Sequence, residues 1–195
     1  MSQHSDAQRS FYSLDTDDLD YKFPFCFKEL WGVAYRTDYD LKQHIEHSGQ
    51  NLDYVDPHTN KKFVPHVIEP ALGINRVFLM LLCDAYREDT ENNRTYLALK
   101  PSLAPYTAAV FPLLKNKPEL TKKAQELFEQ LANSNSNIRV TYDERGNIGK
   151  RYLSQDEIST PCCIPVDLDT LEDNTITVRD RNTPQPTIHR ITELE

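Results

Sequence analysis

The segment "IEPALGINR", residues 68 to 76, carries a carboxylate, a glycine and an arginine directly ahead of the apolar run "VFLMLLC". Gly73 would let the backbone approach a ligand closely where a strand passes into a helix. A helix N-terminus favours anions, and Arg76 adds a planar cation suited to phosphate oxygens. Glu69 is well placed to take a ligand ammonium. The pattern indicates a site for a phosphate-bearing ligand, although a simple ion pair between Arg76 and Glu69 is an alternative.

A second acidic residue, Glu29, stands in the otherwise apolar segment "ELWGVAYRTDYDL", followed closely by Arg36, Asp38 and Asp40. A carboxylate within such a strand is costly unless it is paired or functional. Two interpretations stay open: Glu29 serves a site, or it faces water from an edge strand.

Metal chemistry has little support in the sequence. His44 and His47 lie three positions apart on a predicted helix, but they lack the HExxH spacing and a third ligand. They are interpreted as solvated surface histidines, and no metal site is predicted. The cysteines form no CxxC pair, which favours reduced, buried thiols over disulfides or zinc. They are Cys26, Cys83, Cys162 and Cys163.

Basic residues gather beside glycines in "YDERGNIGKRY" and again in "TVRDRNT". Such side chains at strand edges and a glycine turn suit an RNA backbone, and Tyr142 or Tyr152 would offer stacking faces. RNA contacts are therefore one interpretation, and a solvated turn with local ion pairs is the other. The basic residues concerned are Arg145, Lys150, Arg151, Arg179 and Arg181.

Length and composition limit the classes of protein to which the chain can belong. The chain has 195 residues, 38% of them hydrophobic, which fits one large globular domain or two small ones. A formal net charge of −8 argues against indiscriminate coating of nucleic acid, but not against recognition of one folded RNA. The apolar runs are too short for a membrane span, and the polar start lacks a secretory signal. A cytoplasmic location is predicted.

The elements that would position these residues follow from local patterns. Residues 1–20 are expected to be a loose lead-in, followed by a strand from about residue 25 and a short helix ending at Ser48 and Gly49. Two strands around a turn at 56–60 precede a helix from about Gly73 to Arg87. Beyond a boundary between 90 and 104, strands and helices alternate, which indicates an α/β sheet of about five strands. The predicted domains are 1–95 and 96–195.

Several segments, in this order and spacing, resemble glycyl-tRNA synthetase, a class II aminoacyl-tRNA synthetase. They extend over about residues 20 to 183 and together are highly specific. The segments are "ELWGVAYRTDYDLKQHIEHSG", "PHVIEPALGINRVFLMLLCDAY", "LAPYTAAVFPLLK", "VTYDERGNIGKRYLSQDEISTPCC" and "DTLEDNTITVRDRNT".

The resemblance implies an α/β (α+β) fold in two parts. The first would be part of the antiparallel catalytic sheet of a class II synthetase, and the second an α/β anticodon-binding domain with a five-stranded mixed sheet. The implied activity joins glycine to tRNA(Gly) in two steps, with ATP as the energy source and Mg²⁺ neutralising its phosphates. The intact family enzyme is a homodimer.

The resemblance also assigns residues, because "EPALGINR" matches the third class II motif of the family. Arg76 would hold the ATP phosphates and Glu69 would bind the ammonium of glycine, which makes these two the implied catalytic residues. The implied ATP-binding residues are Glu29, Leu30, Gly73, Ile74, Asn75 and Arg76. The implied glycine-binding residues are Glu69, Pro70, Ala71, Leu72 and Gly73. Residues from about 101 would bind the anticodon.

The chain departs from the family pattern in three places. Ala71 stands where the family usually has serine, so a hydroxyl contact to glycine is lost. Cys26-Phe27-Lys28-Glu29 replaces Gly-Trp-Gly-Glu and adds bulk near the ligand. The tail segment "NTPQPTIHR" differs from the usual Thr-Met-Glu-Gln stretch.

The first and second class II motifs have no counterpart in the chain. The chain is therefore expected to be the C-terminal part of a glycine–tRNA ligase, to expose apolar faces of a half-domain, and to be inactive alone. The alternative is a non-catalytic tRNA-binding, RNA-binding or accessory protein derived from that family.

Overall fold

The computed structural model describes residues 1–134, 138–183 and 187–191. Contacts within the chain divide it into two compact units, Met1–Cys83 and Asp84–Glu195. The predicted domain boundary between residues 95 and 96 lies after this division and stays a prediction. Part of the tail that departs from the family pattern, residues 184–186, lies outside the described residues.

The first unit is an antiparallel β structure with two helices. Its strands are β1 (Ser2–Gln3), β2 (Asp15–Lys22), β3 (Phe27–Thr37), β4 (Tyr54–Val55), β5 (Lys62–Phe63) and β6 (Val67–Leu72). Four of them form an antiparallel sheet in the order β1–β2–β3–β6. Strands β4 and β5 pair as a short hairpin on either side of the predicted turn.

The expectation of a loose lead-in over residues 1–20 is wrong, because β2 occupies residues 15 to 22. Its acidic sequence "DTDDLDYK" hides the strand, since only Leu19 and Tyr21 are apolar or aromatic. Pairing along most of β3 satisfies the backbone groups of β2, and that pairing cannot be read from local composition. A β-bulge leaves Leu30 as the extra residue, because Leu19 pairs with Trp31 and Asp20 pairs with Glu29.

The two helices of this region begin and end close to the predicted positions. Helix α1 (Tyr39–Ser48) has Asp38 as its N-cap residue, and Gly49 ends it in the left-handed conformation with φ of 67°. That conformation suits glycine, which has no Cβ to clash. Helix α2 (Ile74–Ala85) starts immediately after Gly73, so the backbone N–H groups of its first turn lie beside the end of β6.

The second unit contains the five-stranded mixed sheet that was predicted. Its elements are β7 (Tyr86–Asp89), β8 (Arg94–Leu97), β9 (Ala108–Pro112), α3 (Pro118–Asn133), β10 (Val140–Tyr142), α4 (Ile148–Glu157), β11 (Cys162–Val166), α5 (Leu168–Asp173), β12 (Thr175–Asp180) and β13 (Thr187–Arg190). The sheet order is β10–β9–β11–β12–β13. Strand β9 is parallel to both β10 and β11, and the last two strands join antiparallel. The hairpin of β7 and β8 precedes this sheet in sequence.

Helices cover both faces of this sheet. Alternate residues of β9 and β11, such as Val110 and Val166, pack with Leu120 and Leu127 of α3. The residues between them, including Phe111, pack against Ile148 and Tyr152 of α4. Because side chains alternate across a strand, this arrangement buries β9 on both faces.

Candidate functional site

Glu69 lies on β6 next to β3, where it is paired in register with Ala34. Arg36, two residues further along β3, donates from Nη1 to Glu69 Oε2 at 2.6 Å. The same guanidinium donates to both oxygens of Asp40, at 2.5 and 2.9 Å, and lies over the Tyr12 ring at 4.1 Å. Arg36 therefore fixes the position of the Glu69 carboxylate. The sequence showed both residues but gave no sign that they pair.

Arg36 and Asp40 stabilise each other's charged forms. The hydrogen bonds to Asp40 first, and then to Glu69, raise the pKa of the Arg36 guanidinium above its ordinary value. The hydrogen bond from Arg36 lowers the pKa of the Asp40 carboxyl in turn. Both groups are thus charged at neutral pH, and Glu69 sits beside a permanent cation.

Arg76 lies in the first turn of α2 and contacts Glu29 on β3. Its Nη1 donates to the Glu29 carbonyl oxygen at 2.8 Å and lies 3.2 Å from the carboxylate Oε2. Both side chains are about half exposed. The alternative ion pair between Arg76 and Glu69 is thus not what forms: Glu69 pairs with Arg36, and Glu29 pairs with Arg76. Glu29 does not simply face water.

A glycine, Gly32, lies on β3 between the two pairs. A Cβ at this position would lie 3.3 Å from Asp18 Oδ1 and 3.6 Å from Glu29 Oε1, so a side chain there would crowd these carboxylates. Gly32 pairs in register with Ala71 of β6. Sequence reasoning missed Gly32, although a glycine inside a strand often marks a close approach by a ligand.

The other predicted ligand-binding residues of the segment 68–76 lie where β6 leads into α2. Pro70 and Leu72 lie on β6, paired with Val33 and Trp31 of β3. Gly73, Ile74 and Asn75 form the entrance to α2, and Ile74 is exposed. The first unit therefore brings the N-terminus of α2, Arg76 and two carboxylates to one region of β3 and β6.

Metal ligands do not gather in the described residues. No group of three or more His, Cys, Asp or Glu side chains within them is arranged to hold an ion. His44 and His47 lie on the exposed side of α1. All four cysteines are free, and only Cys163 is fully buried, with burial raising the pKa of its thiol to about 12. The expectation of generally buried thiols is wrong for Cys26, which is exposed.

In the second unit, two of the five predicted RNA-contacting residues are exposed. The Arg145 side chain is 88% exposed and donates to both carboxylate oxygens of buried Asp143, at 3.0 and 3.2 Å. Lys150 is exposed in the first turn of α4, where its N–H donates to the Asn147 side chain at 2.9 Å. The hydrogen bonds from Arg145 lower the pKa of the Asp143 carboxyl.

Two others are buried and bond to the backbone. Arg151 is 2% exposed and donates to four carbonyl oxygens, those of Pro112, Glu144, Arg145 and Gly146. Arg181 is 3% exposed and donates to the carbonyl oxygens of Ser159 and Leu99. Both guanidiniums hold loops in place.

Arg179 belongs to a third arrangement. It donates to Asp156 Oδ2 at 2.9 Å and lies over the Tyr152 ring at 4.6 Å. The same Asp156 oxygen accepts from Arg94 Nη1 at 3.3 Å. Asp156 and Arg94 were not singled out from the sequence, since they lie on separate elements and only the fold brings them to Arg179.

Within the described residues, no helix combines the length and apolar character needed to cross a membrane.

Part of the second unit matches a known domain family. Residues 107–194 match the family described as anticodon binding domain. The glycine–tRNA ligase of Staphylococcus epidermidis strain RP62A is 50% identical over 100% of this chain and 42% of its own length. Those of Bacillus cereus strain ZK and Clostridium acetobutylicum are 49% and 50% identical, over 100% and 98% of this chain and 42% and 41% of their own lengths. The chain thus spans about two fifths of the length of these relatives and corresponds to their C-terminal part.

Proposed function

Because this chain is a relative of the glycine–tRNA ligases and corresponds to their C-terminal part, we propose that it supplies one side of an aminoacylation site and a tRNA-binding domain. The whole protein would join glycine to tRNA(Gly) at the expense of ATP. The observation that carries the proposal is the meeting of Arg76 with Glu29, and of Arg36 with Glu69, on one sheet region of a chain with these relatives.

The arginine at the start of α2 suits ATP. Nη1 makes both contacts with Glu29, so the other guanidinium donors of Arg76 can face phosphate oxygens. The dipole and free N–H groups of the first turn would add to this attraction. In this proposal Glu29, Leu30 and the stretch from Gly73 to Arg76 hold the nucleotide. Mg²⁺ would enter bound to the ATP phosphates as part of the substrate.

The carboxylate on β6 suits the amino group of glycine. Arg36 contacts Oε2 of Glu69, so Oε1 can accept a hydrogen bond from an ammonium. Residues 70 to 73 would line the space for the rest of so small a substrate, with Ala71 contributing no hydroxyl. Once held, the carboxylate of glycine would attack the α-phosphate of ATP and release pyrophosphate, and proximity would supply much of the rate.

The tRNA would bind to the second unit through Arg145, Lys150 and Arg179, whose side chains are exposed or only partly buried. Arg151 and Arg181 would act by positioning the loops that present these groups. A cytoplasmic location and a homodimer remain predictions for the whole protein.

A chimera tests the catalytic proposal. The C-terminal part of the Staphylococcus epidermidis relative is replaced by this chain, and glycine-dependent ATP–pyrophosphate exchange and tRNA glycylation are measured. Both activities are expected. Arg76→Ala should lower exchange by roughly 100-fold or more, because it removes a preorganised charge at the phosphates. Lys62→Ala, which removes an exposed charge on β5, is the matched control and should leave the exchange rate unchanged.

Each other outcome has a definite meaning. A folded chimera that binds tRNA(Gly) but gives no exchange would refute the catalytic proposal and favour the non-catalytic RNA-binding alternative. If the chimera with Arg76→Ala keeps its full exchange rate, Arg76 is not part of the ATP site.

A further inference from the structure

The side chain of Arg36 leaves the sheet at an irregularity near the end of β3. Tyr35 pairs with Ile68 of β6. Thr37 pairs with Val67, the adjacent residue of that strand, so Arg36 is the extra residue of a β-bulge. Thr37 itself has a positive φ of 53°, which is uncommon and costly for a β-branched residue. Bulges re-aim side chains and strained residues cluster at functional sites, which indicates a functional constraint on Arg36.

Asp40 holds one edge of the Arg36 guanidinium. It lies in the first turn of α1, four residues after Arg36, and accepts from Nε and Nη2 at 2.5 and 2.9 Å. A bidentate pair of this kind fixes both the position and the plane of the guanidinium. Nη1 is left to donate to Glu69 Oε2 at 2.6 Å. Asp40 is thus linked to Glu69 through Arg36.

Tyr12 covers one face of the same guanidinium. The centre of its ring lies 4.1 Å from Arg36 Cζ, and a cation in this place is attracted by the ring quadrupole. Two hydrogen bonds tie the segment 12–14 to β3. The Leu14 N–H and the Ser13 hydroxyl both donate to the Tyr35 carbonyl oxygen, at 2.8 and 3.3 Å. The edge and the face of the guanidinium are therefore held by different parts of the chain.

This support matters for Glu69 because its side chain is 45% exposed. A carboxylate with that much exposure would otherwise sample several rotamers, and ordering it on binding would weaken the affinity for a ligand. Because Arg36 holds Oε2, Oε1 keeps one orientation before a ligand arrives. The carboxylate is thus preorganised to accept a hydrogen bond from an ammonium.

We propose that Asp40 and Tyr12 are positioning residues for the amino-acid substrate, which act on Glu69 through Arg36 and do not touch the substrate themselves. The inference rests on the proposed function, in which Glu69 binds the ammonium of glycine. It adds to that function one residue of α1 and one of the segment 12–14. These two residues set the affinity for the amino acid and leave the affinity for ATP unchanged.

Steady-state kinetics of the chimera test the role of Asp40. Asp40→Asn keeps the shape of the side chain but removes its charge and one of its two acceptors. In glycine-dependent ATP–pyrophosphate exchange it should raise KM for glycine by roughly 10-fold or more, the loss typical of a hydrogen bond between charged groups. The kcat and the KM for ATP should stay as they are. Asp38→Asn is the matched control at the same end of α1, because the ion-pair partner of Asp38 is Lys42, at 2.7 Å. It should change none of the three constants.

Two substitutions of Tyr12 test the aromatic contact. Tyr12→Leu removes the ring and should raise KM for glycine by about 2- to 5-fold, as expected for an exposed cation–π contact. Tyr12→Phe keeps the ring and should behave as the unsubstituted chimera does. Circular dichroism establishes that each variant is folded.

A double substitution tests whether the effect of Asp40 passes through Arg36. Arg36→Met by itself should raise KM for glycine, because Glu69 loses the donor that orients it. Adding Asp40→Asn to Arg36→Met should cause no further rise, since residues that act through one partner are not additive.

The outcomes separate this inference from the proposed function. If the chimera is active but Asp40→Asn behaves as Asp38→Asn does, or raises both KM values equally, the positioning inference is wrong and the proposed function stands. A full further rise in the Arg36→Met background would also overturn the inference, because Asp40 would then act by another route. A chimera with the unsubstituted chain that gives no exchange would overturn both.

Discussion

Arginines that look alike in the sequence have different roles in the structure. Arg145 and Arg151 lie six positions apart in one basic segment, and both suggested contact with RNA. The Arg145 side chain is 88% exposed, whereas Arg151 is 2% exposed and donates to backbone carbonyl oxygens. The difference arises because α4 turns Arg151 toward the loop before it. No spacing rule separates the two, so a list of basic residues overestimates the ligand-binding surface.

Removal of the Arg151 guanidinium should destabilise the second unit. Arg151→Met keeps the aliphatic part of the side chain but leaves the buried carbonyl oxygen of Pro112, and the partly buried ones of Arg145 and Gly146, without this donor. The expected loss in free energy of unfolding is about 3 kcal/mol, since one unsatisfied buried group costs about 1–3 kcal/mol. Urea denaturation measures it.

Lys150→Met is the matched control, because Lys150 is the exposed neighbour of Arg151 in α4. It should change the free energy of unfolding by less than about 0.5 kcal/mol. Similar losses for the two variants would contradict a structural role for Arg151.

At the scale of elements, a helix or strand could be predicted from the sequence only where its residue pattern is local. Helix α3 has a local pattern, because Leu120, Leu127 and Leu131 recur at helical spacing, and in the structure all three face the sheet. Strand β2 was missed because its polar sequence forms a strand only through pairing with β3. Strand β11 ends at Val166, and Asp167 caps α5: its side chain accepts from the Thr170 N–H, and its own N–H donates to Thr170 Oγ1. That cap is a local signal and could have been found.

The candidate site likewise combines features that the sequence indicates locally with contacts that depend on the fold. The strand-to-helix junction at Gly73 and the basic segment at residues 145–151 could be located from the sequence. The partners could not, because the pairs Arg36–Glu69 and Arg179–Asp156 join residues from different elements. Their proximity depends on strand register and on the packing of α4, which single residues do not encode.

The two glycines before and within α4 should respond oppositely to alanine. Gly146 has a φ of +63°, a conformation that costs an L-residue roughly 1–2 kcal/mol. Gly149 lies in the first turn of the helix with space for a Cβ, so alanine there should be neutral or stabilising by up to about 1 kcal/mol. Urea midpoints of Gly146→Ala and Gly149→Ala give the comparison. A midpoint for Gly146→Ala at or above that of the parent chain would contradict the assigned backbone conformation.

At the scale of the whole chain, the two units are unequally packed. Of the buried hydrophobic residues among those the structure describes, only Phe23 lies in the first unit. Large apolar side chains such as Trp31, Ile68 and Phe78 are instead exposed there. The sheet of the second unit is covered on both faces. The expectation that the first part of the chain exposes apolar faces is thus confirmed for this chain.

Hydrogen exchange followed by mass spectrometry should reveal the inequality. Amides of β2 and β3 are expected to exchange faster than those of β9 and β11, although both pairs are hydrogen-bonded strands, because opening the first unit exposes little additional apolar surface. Peptides from the two sheets in the same sample serve as mutual controls. Equal protection in both sheets would contradict the expectation.

The internal hydrogen bonds of the second unit have a thermodynamic consequence for RNA binding. Each arginine whose side chain is described there donates to an acceptor within the chain. These residues are Arg87, Arg94, Arg139, Arg145, Arg151, Arg179 and Arg181. A cation already engaged with a carboxylate or held in the interior displaces fewer condensed counterions from a polyphosphate. With a slope of about −0.7 per neutralised phosphate on single strands, affinity should fall only gently with the logarithm of salt concentration. An acidic protein of this kind would gain little from counterion entropy, and its discrimination between RNAs would persist at ionic strengths that release a polycationic binder.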